Sequence, residues 1–133
     1  MNIVINATCI NGVESGAKKR FESIYNDVIF KNPKHNFFIL EPKDYNISKL
    51  INSYPNVKFI KTKCLSYNAI QRYLIGIITI PKLISKINAD IYEQSHLPLI
   101  KIKNVRTIFT IHDIRYSFDD LKLNNIFRPT FLS

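Results

Sequence analysis

The chain has 133 residues, 46% of them hydrophobic and 22% charged, with 19 lysines and arginines against 10 aspartates and glutamates, a formal net charge of +9. That length holds one domain able to bury about two-thirds of its unfolded surface, which leaves no room for a second full domain, and the composition excludes a disordered chain. Cys9 and Cys64 are far apart with no metal-ligand spacing, so they signal neither a disulfide framework nor zinc and suit a reducing, cytoplasmic setting, while the positive balance favours anionic partners without choosing among them.

"NIVINA", residues 2–7, is β-branched and too short for a helix, and predicts a buried first strand. It lacks the basic start and apolar length of a signal peptide or anchor. After "TCINGVESG" a helix begins with Ser15 as its N-cap. Its period puts Ala17, Phe21, Ile24, Tyr25 and Val28 on the core face and Lys18, Lys19, Glu22 and Asn26 opposite. Pro33 disfavours helix for the residue before it, so the helix ends near Lys31 and Asn32. "HNFFILEP" is the second strand and "YNISKLINSY" a short helix stopped by Pro55. "NVKFIKT" alternates apolar and basic residues, as an edge strand with one wet face does.

Residues 66–88, "SYNAIQRYLIGIITIPKLISKIN", form an almost wholly apolar stretch. A membrane span needs roughly 20 consecutive apolar residues, and this run is bounded by Arg72 and Lys82 and contains Pro81. The spacing of Ile70, Leu74, Ile77, Ile84 and Ile87 predicts a buried or interface helix, kinked or divided at Pro81, an interfacial membrane helix being the lesser alternative. "ADIYEQS" is the fourth strand, a loop with His96 and Pro98 comes next, and "NVRTIFTIHD" is the fifth strand. The tail, "RYSFDDLKLNNIFRPTFLS", can begin another helix but completes no obvious unit.

Alternating strands and helices predict an α/β, Rossmann-like parallel sheet of order 3-2-1-4-5, flanked by helices. Ligands of such sheets bind beyond the carboxyl ends of the strands, beside strand one. Three segments arrive there: "NGVESGAKKR", "QSHLP" and "IHDIRYS". Gly12 and Gly16 would let backbone N–H groups approach an anion or sugar hydroxyl, and equally suit a tight turn without a ligand. Lys18, Lys19 and Arg20 strengthen the anion reading, although a basic run is commonly a solvated face. Glu93 ends the fourth strand, where it meets a ligand or bonds within the turn. His96 reads as an exposed loop histidine without a catalytic role, or as a further substrate contact. His112, ending an apolar strand at this edge, either contacts a substrate hydroxyl or caps backbone groups. No hydrolase motif accompanies them.

Taken in order, "MNIVINATCINGVESGAKKRFESIYNDVI", "NADIYEQSHLPL" and "VRTIFTIHDIRYS" resemble the N-terminal domain of family 4 GT-B glycosyltransferases, "TIHD" being the most specific part. The resemblance implies transfer of a sugar from a nucleotide-sugar donor to a sugar or lipid-linked acceptor, with retention and without a required metal or other cofactor. It implies a cleft between two Rossmann-like domains, the first receiving the acceptor. Gly16 and its neighbours would line that cleft, Arg20-Phe21 would be the basic-aromatic pair, and His112 would contact the reacting sugar or acceptor. Asp113 would orient the loop of His112 or cap nearby backbone N–H groups. Ser15-Gly16 stands where many relatives have two glycines, and Lys18-Lys19 make the loop bulkier. The donor-binding second domain would come after Ser133, so residues 1–133 read as an incomplete GT-B, the acceptor-side half alone or with a split-enzyme partner chain, and inactive by itself. The expected setting is cytoplasmic, with peripheral contact with an anionic membrane left open. A different reading is a non-catalytic basic module for nucleotide, RNA or an acidic membrane surface, supported by the charge and by "NVKFIKTK".

Overall fold

Five short apolar runs, each separated by a connection long enough to carry the chain back across the molecule, pair side by side and all in one direction. The structure is a computed structural model that describes residues 1–97 and 99–110. Its strands are β1 (Asn2–Asn6), β2 (Asn36–Glu41), β3 (Val57–Lys61), β4 (Ile91–Gln94) and β5 (Arg106–Phe109), with helices α1 (Gly16–Lys31) and α2 (Ala69–Ile87). They form one parallel sheet of order β3-β2-β1-β4-β5, the α/β Rossmann-like arrangement that the sequence predicts. Ile5 is level with Ile39 and Glu93, and Gln94 with Phe109.

Alternation along the strands gives each face its own core. Ile5, Phe37 and Ile39 pack with Phe21 and Ile29 of α1 on one face. Val4, Leu40 and Tyr92 pack with Ile80 and Ile84 of α2 on the other. Full burial of each such side chain contributes about 1.5–3 kcal/mol.

Both helices are rotated relative to the faces expected from their periodicity. Ser15 caps α1 as expected, its hydroxyl accepting from the Lys18 N–H at 3.1 Å. The buried stripe of α1, however, is Lys18, Phe21 and Ile29 with Tyr25 half-buried, while Ile24 and Val28 are exposed. Lys18 belongs on the core side because its ammonium meets Glu14 at 2.5 Å and lies 5.8 Å from the centre of the Tyr45 ring, so only its apolar stem needs covering. In α2 the buried residues are Gly76, Ile80 and Ile84, while Ile70, Leu74 and Ile77 are exposed.

Pro81 does not divide α2, which runs unbroken from Ala69 to Ile87. The missing N–H removes the partner of the Ile77 carbonyl, and Ile77 is on the exposed flank, where solvent can replace it. The helix stops at Asn88, whose left-handed φ of 52° lets its N–H close onto the last turn.

The expected helix at 45–54 is only a 3-10 turn, Ile47–Lys49. Asn26 of α1 intercepts it: its Nδ2 donates to the Leu50 carbonyl and its Oδ1 accepts from the Asn52 N–H, both at 2.8 Å. Backbone groups committed to a side chain cannot propagate a helix.

Candidate functional site

The carboxyl ends of β1, β4 and β5 meet beside the start of α1, where the sheet order reverses. There the strands place polar side chains on both faces of an otherwise apolar sheet. On the α2 side, Asn6 Nδ2 donates to the Tyr92 hydroxyl at 2.8 Å, that hydroxyl donates to Gln94 Oε1 at 3.0 Å, and Gln94 Nε2 donates to the His96 carbonyl at 2.7 Å. Asn6 Oδ1 also accepts from the hydroxyl of Thr8 at 2.7 Å. Buried amides and hydroxyls without partners would be costly, so this chain fixes the ends of β1 and β4 relative to each other. Burial, more than the nearby Glu93, pushes the Tyr92 hydroxyl up to about 12, so it stays protonated as the chain requires.

On the α1 side lies a cavity of about 150 Å³ between α1 and the ends of β4 and β5, with Cys9, Arg20, Tyr25, Glu93, Ser95 and Thr110 in its wall. Glu93 dominates it. Thr110 Oγ1 donates to Glu93 Oε1 at 3.0 Å, while Oε2 is buried with no hydrogen-bond partner among the described residues. Burial raises the carboxyl pKa, and the hydroxyls of Tyr25 and Thr110 and the Arg20 guanidinium offset only part of the effect. Tyr25 is raised in turn, by burial first and by the Glu93 charge second. Burial raises the Cys9 thiol despite the charge of Arg72, so at neutral pH it is a thiol and not a nucleophilic thiolate.

The expected site residues divide between this cavity and other roles. Glu93 and Arg20 come together in it. Ser15 is committed to capping, and Lys18 is turned to the other flank of α1, against Glu14 and Tyr45. Neither Gly12 nor Gly16 has a positive φ. A Cβ at Gly16 would meet nothing within 4 Å and one at Gly12 would only touch the Tyr45 ring at 3.5 Å, so this loop does not require glycine. His96 is half-buried instead of exposed, with its Nδ1 buried and unpartnered among the described residues. Burial, then the nearby charge of Arg72, holds its pKa down to about 4, so it is neutral at physiological pH. His112 and Asp113 lie outside the described residues.

Cys9, Tyr25, Ser95 and Thr110 are members of the site that the sequence did not single out. The signal for Thr110 is alternation: it lies one residue past β5 and two beyond Ile108, which pairs with Glu93, so it falls on the same face of the sheet, whereas Cys9 sits in the turn three residues past β1 and has no such signal. The period of Tyr25 assigns it to the core and gives no account of where its hydroxyl goes. Among the described residues no three His, Cys, Asp or Glu side chains are grouped to hold a metal ion. No family model, no curated protein and no solved structure matches the chain.

Proposed function

We propose that the chain is the acceptor-side half of a nucleotide-sugar-dependent glycosyltransferase, and that it receives a hydroxyl-bearing acceptor in the cavity beside Glu93. The observation that carries this reading is the buried Glu93 carboxyl in the wall of the cavity, whose burial the Thr110 and Tyr25 hydroxyls and the Arg20 guanidinium offset only in part. A carboxylate oxygen in that state binds a hydroxyl or amine strongly, since charge-assisted hydrogen bonds are about twice as strong as neutral ones. The volume supports half a cleft: complete ligand pockets run to about 300–1,000 Å³, so this one accommodates a single ring and not a whole nucleotide-sugar. The switch-point position and the resemblance of the strand ends to the transferase motifs point the same way.

Nuclear magnetic resonance titration of the full chain with a panel of free sugars tests it. Shifts should gather at Cys9, Glu93 and Thr110, and Glu93→Ala should weaken the binding by about tenfold or more. Sugars that leave these residues unshifted would remove the acceptor assignment. Alone the chain should not turn over nucleotide-sugars, because stabilisation of the leaving diphosphate would come from elsewhere. Turnover by the purified chain, lost in His112→Ala, would contradict the half-enzyme reading.

A further inference from the structure

We infer that the outer flank of α2 is a docking surface for an anionic lipid bilayer. Ile70, Tyr73, Leu74, Ile77 and Ile78 fall within an arc of about 140° on the helix, and between 43% and 73% of each is exposed. Tyr67, 73% exposed, precedes them in the turn leading to the helix. No helix among the described residues is long and apolar enough to cross a membrane, so this stripe suits a helix lying in the interface plane.

Charge selects the partner. From Tyr45 to Ala89, and again from Gln94 to Thr110, the chain contains no aspartate or glutamate. Lys82 lies one helical turn beyond Ile78, and Lys86 one turn beyond Lys82. Lys101 and Lys103 extend from the β4–β5 connection, whose Ile100 side chain lies over Gly76 and whose Ile102 packs with Ile80 and Ile84. Lys63 stands in the turn before α2. All five lysines are exposed. Exposed lysines on α2 and on the segments flanking it, together with an apolar stripe, match anionic headgroups above and acyl chains below. A second copy would bring lysines against lysines, and Tyr67 and Tyr73 are the two aromatic rings of a stripe whose other members, Ile70, Leu74, Ile77 and Ile78, give nucleic-acid bases no flat face to stack on.

The chain has no tryptophan, so Leu74→Trp is a clean reporter. Phe30→Trp, at an exposed position of α1 on the opposite face of the sheet, is its control. With vesicles of phosphatidylcholine and phosphatidylglycerol, the emission of Leu74→Trp should shift to the blue and that of Phe30→Trp should not. Binding should weaken with salt and be much poorer on phosphatidylcholine alone. Replacing Ile70, Leu74 and Ile77 together by glutamine should cut vesicle binding by about tenfold or more with unchanged circular dichroism. Equal affinity for both vesicles, or binding that survives the triple replacement, overturns the inference. So does a concentration-dependent dimer, or capture of single-stranded RNA, that the triple replacement abolishes. The sugar titration at Glu93 reads a different face, so the failure of either proposal is visible without the other.

Discussion

Helix α1 lays a narrow stripe on its side of the sheet and turns Lys19, Glu22 and Asp27 to solvent, whereas α2 is apolar around most of its circumference and the sheet covers only part of it. Burial is therefore set by the surface a helix is offered and not by how apolar the helix is. On the α1 side the polar groups converge on a cavity at the strand ends. On the α2 side the apolar surplus faces outward among lysines. The two sides also carry buried groups of opposite pH response at the end of β4, Glu93 towards α1 and His96 within reach of the Arg72 charge from α2.

The contrast breaks or sharpens under substitution. The largest effect belongs to Ile80, 1% exposed: Ile80→Ala should cost about 3 kcal/mol in denaturant unfolding, whereas Ile77→Ala, one turn away on the outer flank, should cost less than about 0.5 kcal/mol. Equal losses would erase the distinction between the flanks of α2. Next is His96, with its pKa lowered from 6.5 to about 4. A depressed pKa gives stability that is present above the unfolded value and lost as pH falls to the folded one. Between about pH 6.5 and 4 the protein should lose about 2 kcal/mol, allowing for the partly exposed ring, and His96→Gln should remove that slope.

Smaller and symmetrical effects come from the N-caps. Ser15 accepts from Lys18 N and Asn68 from Gln71 N, so alanine at either should cost about 1 kcal/mol in thermal unfolding. Unequal losses would mean that the helices differ in more than what covers them. Smallest is Glu93→Gln. A raised carboxyl pKa gives stability that is complete below the ordinary carboxylate range and is lost as pH rises through the folded value. Thermal melts at pH 7 should therefore show a slightly higher midpoint for Glu93→Gln, and melts near pH 4 none. A lower midpoint at pH 7 would mean that the ionised carboxylate is held by partners strong enough to repay its burial.

Strand existence and sheet order were legible because β-branched runs such as "NIVIN" and "RTIF" are short and because right-handed crossovers leave few arrangements. Helix orientation was not. The apolar positions 17, 21, 24, 25 and 28 satisfy a 3.6-residue period as well as the true stripe does, and Lys18 enters that stripe only because Glu14, one turn earlier, neutralises it. The helix predicted at 45–54 failed on a tertiary contact, the clasp of Asn26 on Leu50 and Asn52, which no local pattern encodes. Of the site, Glu93 and Arg20 could be named from their places at a strand end and a helix start. Their joining with Cys9, Tyr25 and Thr110 depends on strands whose residues are distant in sequence.

That distance bears on synthesis. β1 is made before the other four described strands and lies at the centre of the sheet, yet Ile3 pairs with Ile91, and the Asn2 N–H donates to the carboxylate of Asp90, 88 positions later. At about 5–20 residues per second, roughly 4–18 s separate the translation of β1 from that of its second neighbour. During that interval β1 can pair only with β2, and the side that will hold β4 presents unpaired backbone to whatever else is nearby. The centre of the sheet is thus sealed only once β4 has been made, long after β1 itself.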